Sequence, residues 1–191
     1  MSAGESIRFP ADDHERRKWM DPEAILSSIG LKPGFTFMDI GCGAGFFALP
    51  AARIVGKSGK VYGVDPDARS IAVLKEQAAL EKLDNLHLTT VKGEETVLCE
   101  KCADIVFFGM DLHDFQDAAK VLENARKMIK PTGRLANLDW KKEPMKLGPP
   151  FEIRFDQAKA KRLIEAAGFS IETVKDSGPY HYLIIAMPRT A

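Results

Sequence analysis

Apolar positions follow two rhythms along this chain, one repeating every three to four residues and one forming short, nearly unbroken runs. Ile25, Leu26 and Ile29 fall on one side of a helical repeat behind Asp21-Pro22-Glu23, a start signal made of a capping carboxylate, a proline at the first helical position and an acidic first turn. Gly30 ends that helix. Strands are expected over residues 35–40, 60–64, 86–91, 104–108 and 134–140, the fourth being so apolar that it reads as buried on both faces. Helices are expected between them, over residues 45–55 and 67–82, and again where Ala118, Val121, Leu122, Ala125, Met128 and Ile129 recur at spacings of three and four. Pro131-Thr132-Gly133 should stop the last of these.

Residues 141–155 carry proline, glycine and charge without apolar periodicity and read as a connection. A final helix is expected over 157–167, closed by Gly168, followed by strands over 169–174 and 182–187 joined through Asp176-Ser177-Gly178-Pro179. A turn that short implies antiparallel pairing. Five alternations of strand and helix before a terminal hairpin predict an α/β fold: a doubly wound, mostly parallel sheet between two helical layers. Residues 1–30 read as an N-terminal helical arm whose first ten residues are mobile, and 31–191 as the domain proper.

Composition narrows the class of protein. The 191 residues hold 27 basic and 27 acidic side chains, so no excess of positive charge favours a nucleic acid or an anionic membrane surface as partner. Cys42, Cys99 and Cys102 are too few and too irregular for a disulfide framework, which suggests a reducing compartment. Cys99 and Cys102 have the spacing of half a zinc knuckle or a redox pair, but no second Cys or His pair stands beside them, and no metal site is expected. The N-terminal residues lack the apolar core of a signal peptide and no apolar run is long enough to span a bilayer, so a cytoplasmic location is expected.

The chemistry concentrates after the first strand, in Asp39-Ile40-Gly41-Cys42-Gly43-Ala44-Gly45. Alternating glycines let the backbone turn tightly and let a ligand approach it closely. Gly43-x-Gly45-x-x-Ala48 fits a loose dinucleotide fingerprint, yet Asp39 would repel a pyrophosphate, whereas it suits the amino group of S-adenosylmethionine. Asp65, ending the second strand, stands where a carboxylate accepts hydrogen bonds from ribose hydroxyls; a plain helix cap by Asp65 or Asp67 around Pro66 is the lesser alternative.

DIGCGAG, VYGVD, VKGEE, ADIVFFGMDLHDF and IKPTGRLANLDW, in that order over residues 20–191, resemble the class I S-adenosylmethionine-dependent methyltransferases, within them the type 11 enzymes of the ubiquinone and menaquinone kind. The resemblance implies a Rossmann-like seven-stranded sheet of order 3-2-1-4-5-7-6 with the last strand antiparallel. It also implies S-adenosylmethionine as cofactor: Asp39, Gly41, Cys42, Gly43 and Gly45 would hold its methionine part, Asp65 and Pro66 the ribose, Glu94 and Glu95 the adenine, and Gly109 and Met110 would flank the sulfonium.

A methyl acceptor would then sit beyond the fourth strand, where His113 and Asp111 are the candidate catalytic bases, or else loop and capping residues. The acceptor is expected to be a small molecule, with no nucleic acid or membrane partner; a homodimer is compatible with the sequence. Arg16, Arg17, Lys18 and Trp19, together with the lysine-rich loop 141–146, are candidate roofs that would turn positive charge toward the acceptor. Two further readings stay open, a nicotinamide-dependent oxidoreductase and an S-adenosylmethionine-binding partner protein without transfer activity.

Overall fold

The computed structural model describes residues 13–189, so the expectation of a mobile first ten residues lies outside them. The helices are α1 (Asp13–Arg17), α2 (Pro22–Ser28), α3 (Ala48–Val55), α4 (Ala68–Leu80), α5 (Ala118–Met128) and α6 (Gln157–Ala166). The strands are β1 (Thr36–Ile40), β2 (Lys60–Asp65), β3 (Leu86–Thr90), β4 (Ala103–Gly109), β5 (Ile129–Trp140), β6 (Phe169–Ser177) and β7 (His181–Pro188). They form one seven-stranded sheet of order β3-β2-β1-β4-β5-β7-β6, in which β7 runs antiparallel to both neighbours and the remaining pairs are parallel. This is the expected order.

Alternation along the central strands builds two cores. Phe37, Ile105, Phe107 and Leu138 face α3, α4 and the N-terminal helices, while Met38, Val106, Phe108 and Leu135 face α5 and α6. Met20, Leu26 and Ile29 are buried in the first of these cores, so the N-terminal helices pack as part of it. Aspartates start four helices: Asp21, Asp67, Asp117 and Asp156 each accept backbone N–H bonds from the first turn that follows.

Two expected boundaries move for local reasons. Pro131-Thr132-Gly133 does not separate helix from strand, because β5 begins at Ile129 and the three residues sit inside it as an irregularity, where the pairing steps from Ala103–Ile129 to Ile105–Arg134. A side chain at Gly133 would press within 2.8 Å of the Ala103 carbonyl oxygen, so the β4 backbone needs glycine there. The helix expected from Gly45 starts at Ala48, because Gly41, Gly43 and Gly45 all take positive φ and hold the chain in a turn.

Gly45 serves packing. At φ +99°, a Cβ would overlap Leu74 of α4. Gly45→Ala is therefore expected to lower stability by about 2–4 kcal/mol, left-handed strain adding to overpacking. Urea unfolding measures it, and an unchanged midpoint would mean that α4 yields without cost.

Cys99 and Cys102, three residues apart, bring their sulfurs side by side within the β3–β4 connection. No helix among the described residues is long and apolar enough to cross a membrane.

Candidate functional site

Sheet registry brings the carboxyl ends of β1, β4 and β5 beside the start of β7. Asp39 of β1 lies opposite Phe107 of β4, Gly109 of β4 opposite Leu138 of β5, and Trp140 of β5 opposite His181 of β7. A cavity of about 380 Å³ opens over these ends, where an open α/β sheet receives ligands. Of the residues expected from sequence, Asp39, Gly41, Cys42, Gly43, Gly109, Met110, Asp111 and His113 line it. Gly45, Asp65, Pro66, Glu94 and Glu95 do not, each for its own reason. Gly45 is turned to α4. Asp65 accepts the Gly43 N–H at 2.8 Å and the Asp67 N–H at 2.8 Å, so its carboxylate organises the glycine loop and leaves the capping of α4 to Asp67. Pro66 is exposed beside it. The Glu94 carboxylate accepts the Asp117 N–H at 3.3 Å, while Asn124 Nδ2 donates to the Glu94 carbonyl at 2.8 Å, which ties this turn to α5; Glu95 is exposed.

Asp39 is buried, and burial, reinforced by the negative charge of Asp65, pushes its carboxyl up to about 7. Gly43, at φ +51°, has open space where a side chain would be, and α3 begins without a side-chain cap. An open glycine turn, uncapped amides and buried carboxylates form a cradle suited to a ligand bearing both an amino and a carboxylate group. They do not suit the pyrophosphate of a dinucleotide, which Asp39 would oppose. The Cys42 thiol is pushed far up by burial and by Asp39, Asp65 and Asp111, so it packs and does not react.

Beyond β4, Met110 takes φ +74° while its N–H donates to the Leu138 carbonyl at 2.8 Å. This left-handed residue swings the chain so that Asp111 returns over Gly41 and His113 enters the sheet end. His113 Nδ1 lies 2.7 Å from Asp139 Oδ1, which also accepts the Trp140 N–H at 2.8 Å. Nε2 has no aligned hydrogen bond among the described residues, though Asp114 Oδ1 stands at ion-pair distance, 3.3 Å. Burial acts to lower the His113 pKa, but the Asp139 hydrogen bond and charge outweigh it and raise the pKa above its ordinary value. Sequence reasoning missed Asp139; its signal was an acid within an otherwise apolar LDW strand end, which a buried strand tolerates only with a partner.

The roof differs in part from expectation. Arg16 lines the cavity with its guanidinium 3.8 Å from the Phe46 ring centre, and Trp19 stacks on His181 at 5.6 Å, beside Trp140. Arg17 instead pairs with Glu23, and Lys18 with Glu15. The lysines of loop 141–155 turn away from the cavity, Lys141 pairing with Asp176 and Lys142 lying over Phe151; Gly148, Pro149 and Pro150 form the wall. The wall that this loop gives the cavity is thus apolar, because Arg154 folds the loop from within. Its buried guanidinium donates to the carbonyls of Pro149 (2.8 Å), Lys141 (3.3 Å), Glu143 (3.1 Å) and Leu147 (2.9 Å). His181, buried against Trp19 and Trp140, is pulled down to about 3 by burial and by Arg16, Lys141 and Arg154, so it is a neutral packing ring.

Comparison with known proteins gives a consistent result. The methyltransferase domain model matches residues 31–168. A 2-phytyl-1,4-naphtoquinone methyltransferase of Trichormus variabilis is 32% identical over 128 residues, covering 66% of this chain and 55% of that protein. A demethylmenaquinone methyltransferase of Bacillus mycoides is 29% identical over 109 residues, covering 57% of this chain and 46% of that protein. The chain thus spans about half the length of these curated relatives. A crystal structure of a SAM-dependent methyltransferase from Aquifex aeolicus superposes with a TM-score of 0.87 at 32% identity, covering 92% of this chain and 94% of that one.

Proposed function

This chain belongs to the methyltransferase domain family, and from that premise we propose that it transfers a methyl group from S-adenosylmethionine to a small acceptor that is flat, largely apolar and carries an ionisable hydroxyl or an activated carbon. The observation that carries the reading is a single cavity running from the glycine turn at Gly43, past the His113–Asp139 pair, to the aromatic and proline wall of Phe46, Trp140 and Pro149. The quinone-related names of the relatives agree with such an acceptor. Nothing in the comparisons favours the oxidoreductase alternative.

The cofactor supplies an electrophilic methyl on a cationic sulfur. The protein's task is to align the acceptor with it and to exclude water, and positioning of this kind can contribute about 7–11 kcal/mol in favourable cases. Gly43 brings bare backbone to the methionine part, Asp39 faces its amino group, and Asp65 takes the ribose hydroxyls on lone pairs left over from holding the loop. Glu94 and Glu95 belong beside the adenine, and Gly109 and Met110 beside the sulfur. His113 donates its Nδ1 proton to Asp139, which leaves Nε2 to receive a proton from the acceptor.

Calorimetric titration with S-adenosylhomocysteine and with NADH, followed by methyl transfer to a panel of quinols, phenols, amines and thiols, tests this function. Binding of the thioether and turnover of an aromatic hydroxyl or quinol are expected. Binding of NADH alone would end the reading.

A further inference from the structure

The glycine loop and the β4–α5 corner meet at one contact that the functional roles above leave unused. Gly41 stands at φ +88°, and a Cβ there would overlap the carboxylate of Asp111. That carboxylate fills the space which the glycine leaves. Both of its oxygens are closed off from solvent and have no hydrogen-bond partner among the described residues. A buried carboxylate in this condition is stable only as the neutral acid or beside a cation.

We propose that Asp111 is a cofactor-binding residue which, with Asp39, forms a two-carboxylate seat for the cationic methionyl end of S-adenosylmethionine, so that the site holds the sulfonium form more tightly than its thioether product. The proposal rests on the methyltransferase reading of the site and deepens it by assigning the charge preference to one residue.

The surroundings have the required sign. Burial above all holds the Asp111 carboxyl well above the usual range, and Asp39 at the end of β1, Asp139 on β5, Asp114 on the corner itself and Asp65 at the end of β2 add to it. The cationic groups nearby have other engagements. Arg16 of α1 stacks on Phe46 and acts on Asp39, and His113 is paired with Asp139. The Cys42 thiol is neutral. S-adenosylmethionine carries an ammonium and a sulfonium, whereas S-adenosylhomocysteine carries the ammonium alone, so the full seat is used only before transfer. Once the methyl has left, one positive charge is gone and the product faces crowded carboxylates with less to neutralise them. When the cation enters, the O–H bond of the Asp111 carboxyl breaks and its proton passes to the buffer, leaving the anion beside the cofactor.

Titration calorimetry of the full chain near neutral pH, in phosphate and in Tris, reads both consequences, because the two buffers differ in ionisation heat. The wild type is expected to bind S-adenosylmethionine about tenfold more tightly than S-adenosylhomocysteine and to release more protons with the former, since the ammonium that both carry draws only on Asp39. Asp111→Asn keeps the shape; it should bring the affinity ratio close to one, change S-adenosylhomocysteine binding by less than about threefold, and diminish the proton release. An unchanged ratio and unchanged proton release in this variant would overturn the proposal. Should the variant fail to fold, the wild-type buffer series decides by itself, since sulfonium binding that releases no more protons than thioether binding also overturns it. A wild type that binds neither ligand removes the methyltransferase reading itself, a result separate from the others.

Discussion

His113→Asn is expected to slow methyl transfer to a hydroxyl acceptor by about 10²- to 10⁴-fold while leaving cofactor affinity within about threefold. Asparagine is the informative replacement because its side-chain N–H can still donate to Asp139, which is fully buried and would otherwise lose its main partner. Alanine would mix the catalytic effect with the cost of breaking a buried pair, about 3–5 kcal/mol. The pH profile adds a second readout. The His113 pKa is raised in the folded protein, so its pairing with Asp139 stabilises fully below the ordinary histidine value and is lost as pH rises through the folded value. Proton acceptance runs the other way: the rate should rise with pH through that same elevated value. Asp139→Asn removes the group that lifts it and should move the rising limb toward acid. Normal turnover in His113→Asn, with an unmoved profile, would reduce His113 to a structural ring.

The second large effect is expected at Arg154, a residue with no direct place in the chemistry. Arg154→Met keeps much of the side-chain volume but removes the donors that serve four loop carbonyls. A carbonyl left buried without a partner costs about 1–3 kcal/mol, so loop 141–155 gains more by opening to water than by staying folded. Overall stability should fall by about 2–5 kcal/mol. The functional signature is more specific: the acceptor KM should rise by about tenfold or more as Pro149 and Pro150 leave the wall. Cofactor affinity should hold, and limited proteolysis should cut between residues 141 and 155. Arg154→Lys should rescue poorly, since an ammonium cannot span four acceptors as the planar fork does. A variant with native protease resistance and native KM would mean that the loop is held by Trp140 and the prolines alone.

Much of the molecule was legible residue by residue. Asp21 and Pro22 announce α2, and the run through Val106, Phe107 and Phe108 declares a strand covered on both faces. The glycine turn after β1 and the acidic end of β2 are local features with local causes, and both appear where the pattern put them. The roles inside the site were harder to read. Asp111 looked like a base because it neighbours His113 in sequence, yet the left-handed turn at Met110 delivers it to Gly41, a contact between strand ends 70 positions apart in the chain. Gly45 looked like part of a ligand cradle, and its constraint came instead from Leu74. The lysines of the loop looked like an acceptor-facing charge, but one arginine at its far end gathers the backbone inward and leaves them outside.

The sequence by itself therefore determined the elements, their alternation, the glycine turn and, through the ordered motifs, the family. These depend on short-range periodicity, capping and backbone conformation, which neighbours along the chain decide. The tertiary structure alone decided which carboxylate meets His113, which one fills the glycine cradle and which side of the loop faces the cavity. Those outcomes depend on burial and on pairing between distant strands, where the cost of an unpartnered charge is set by whatever the sheet registry places beside it.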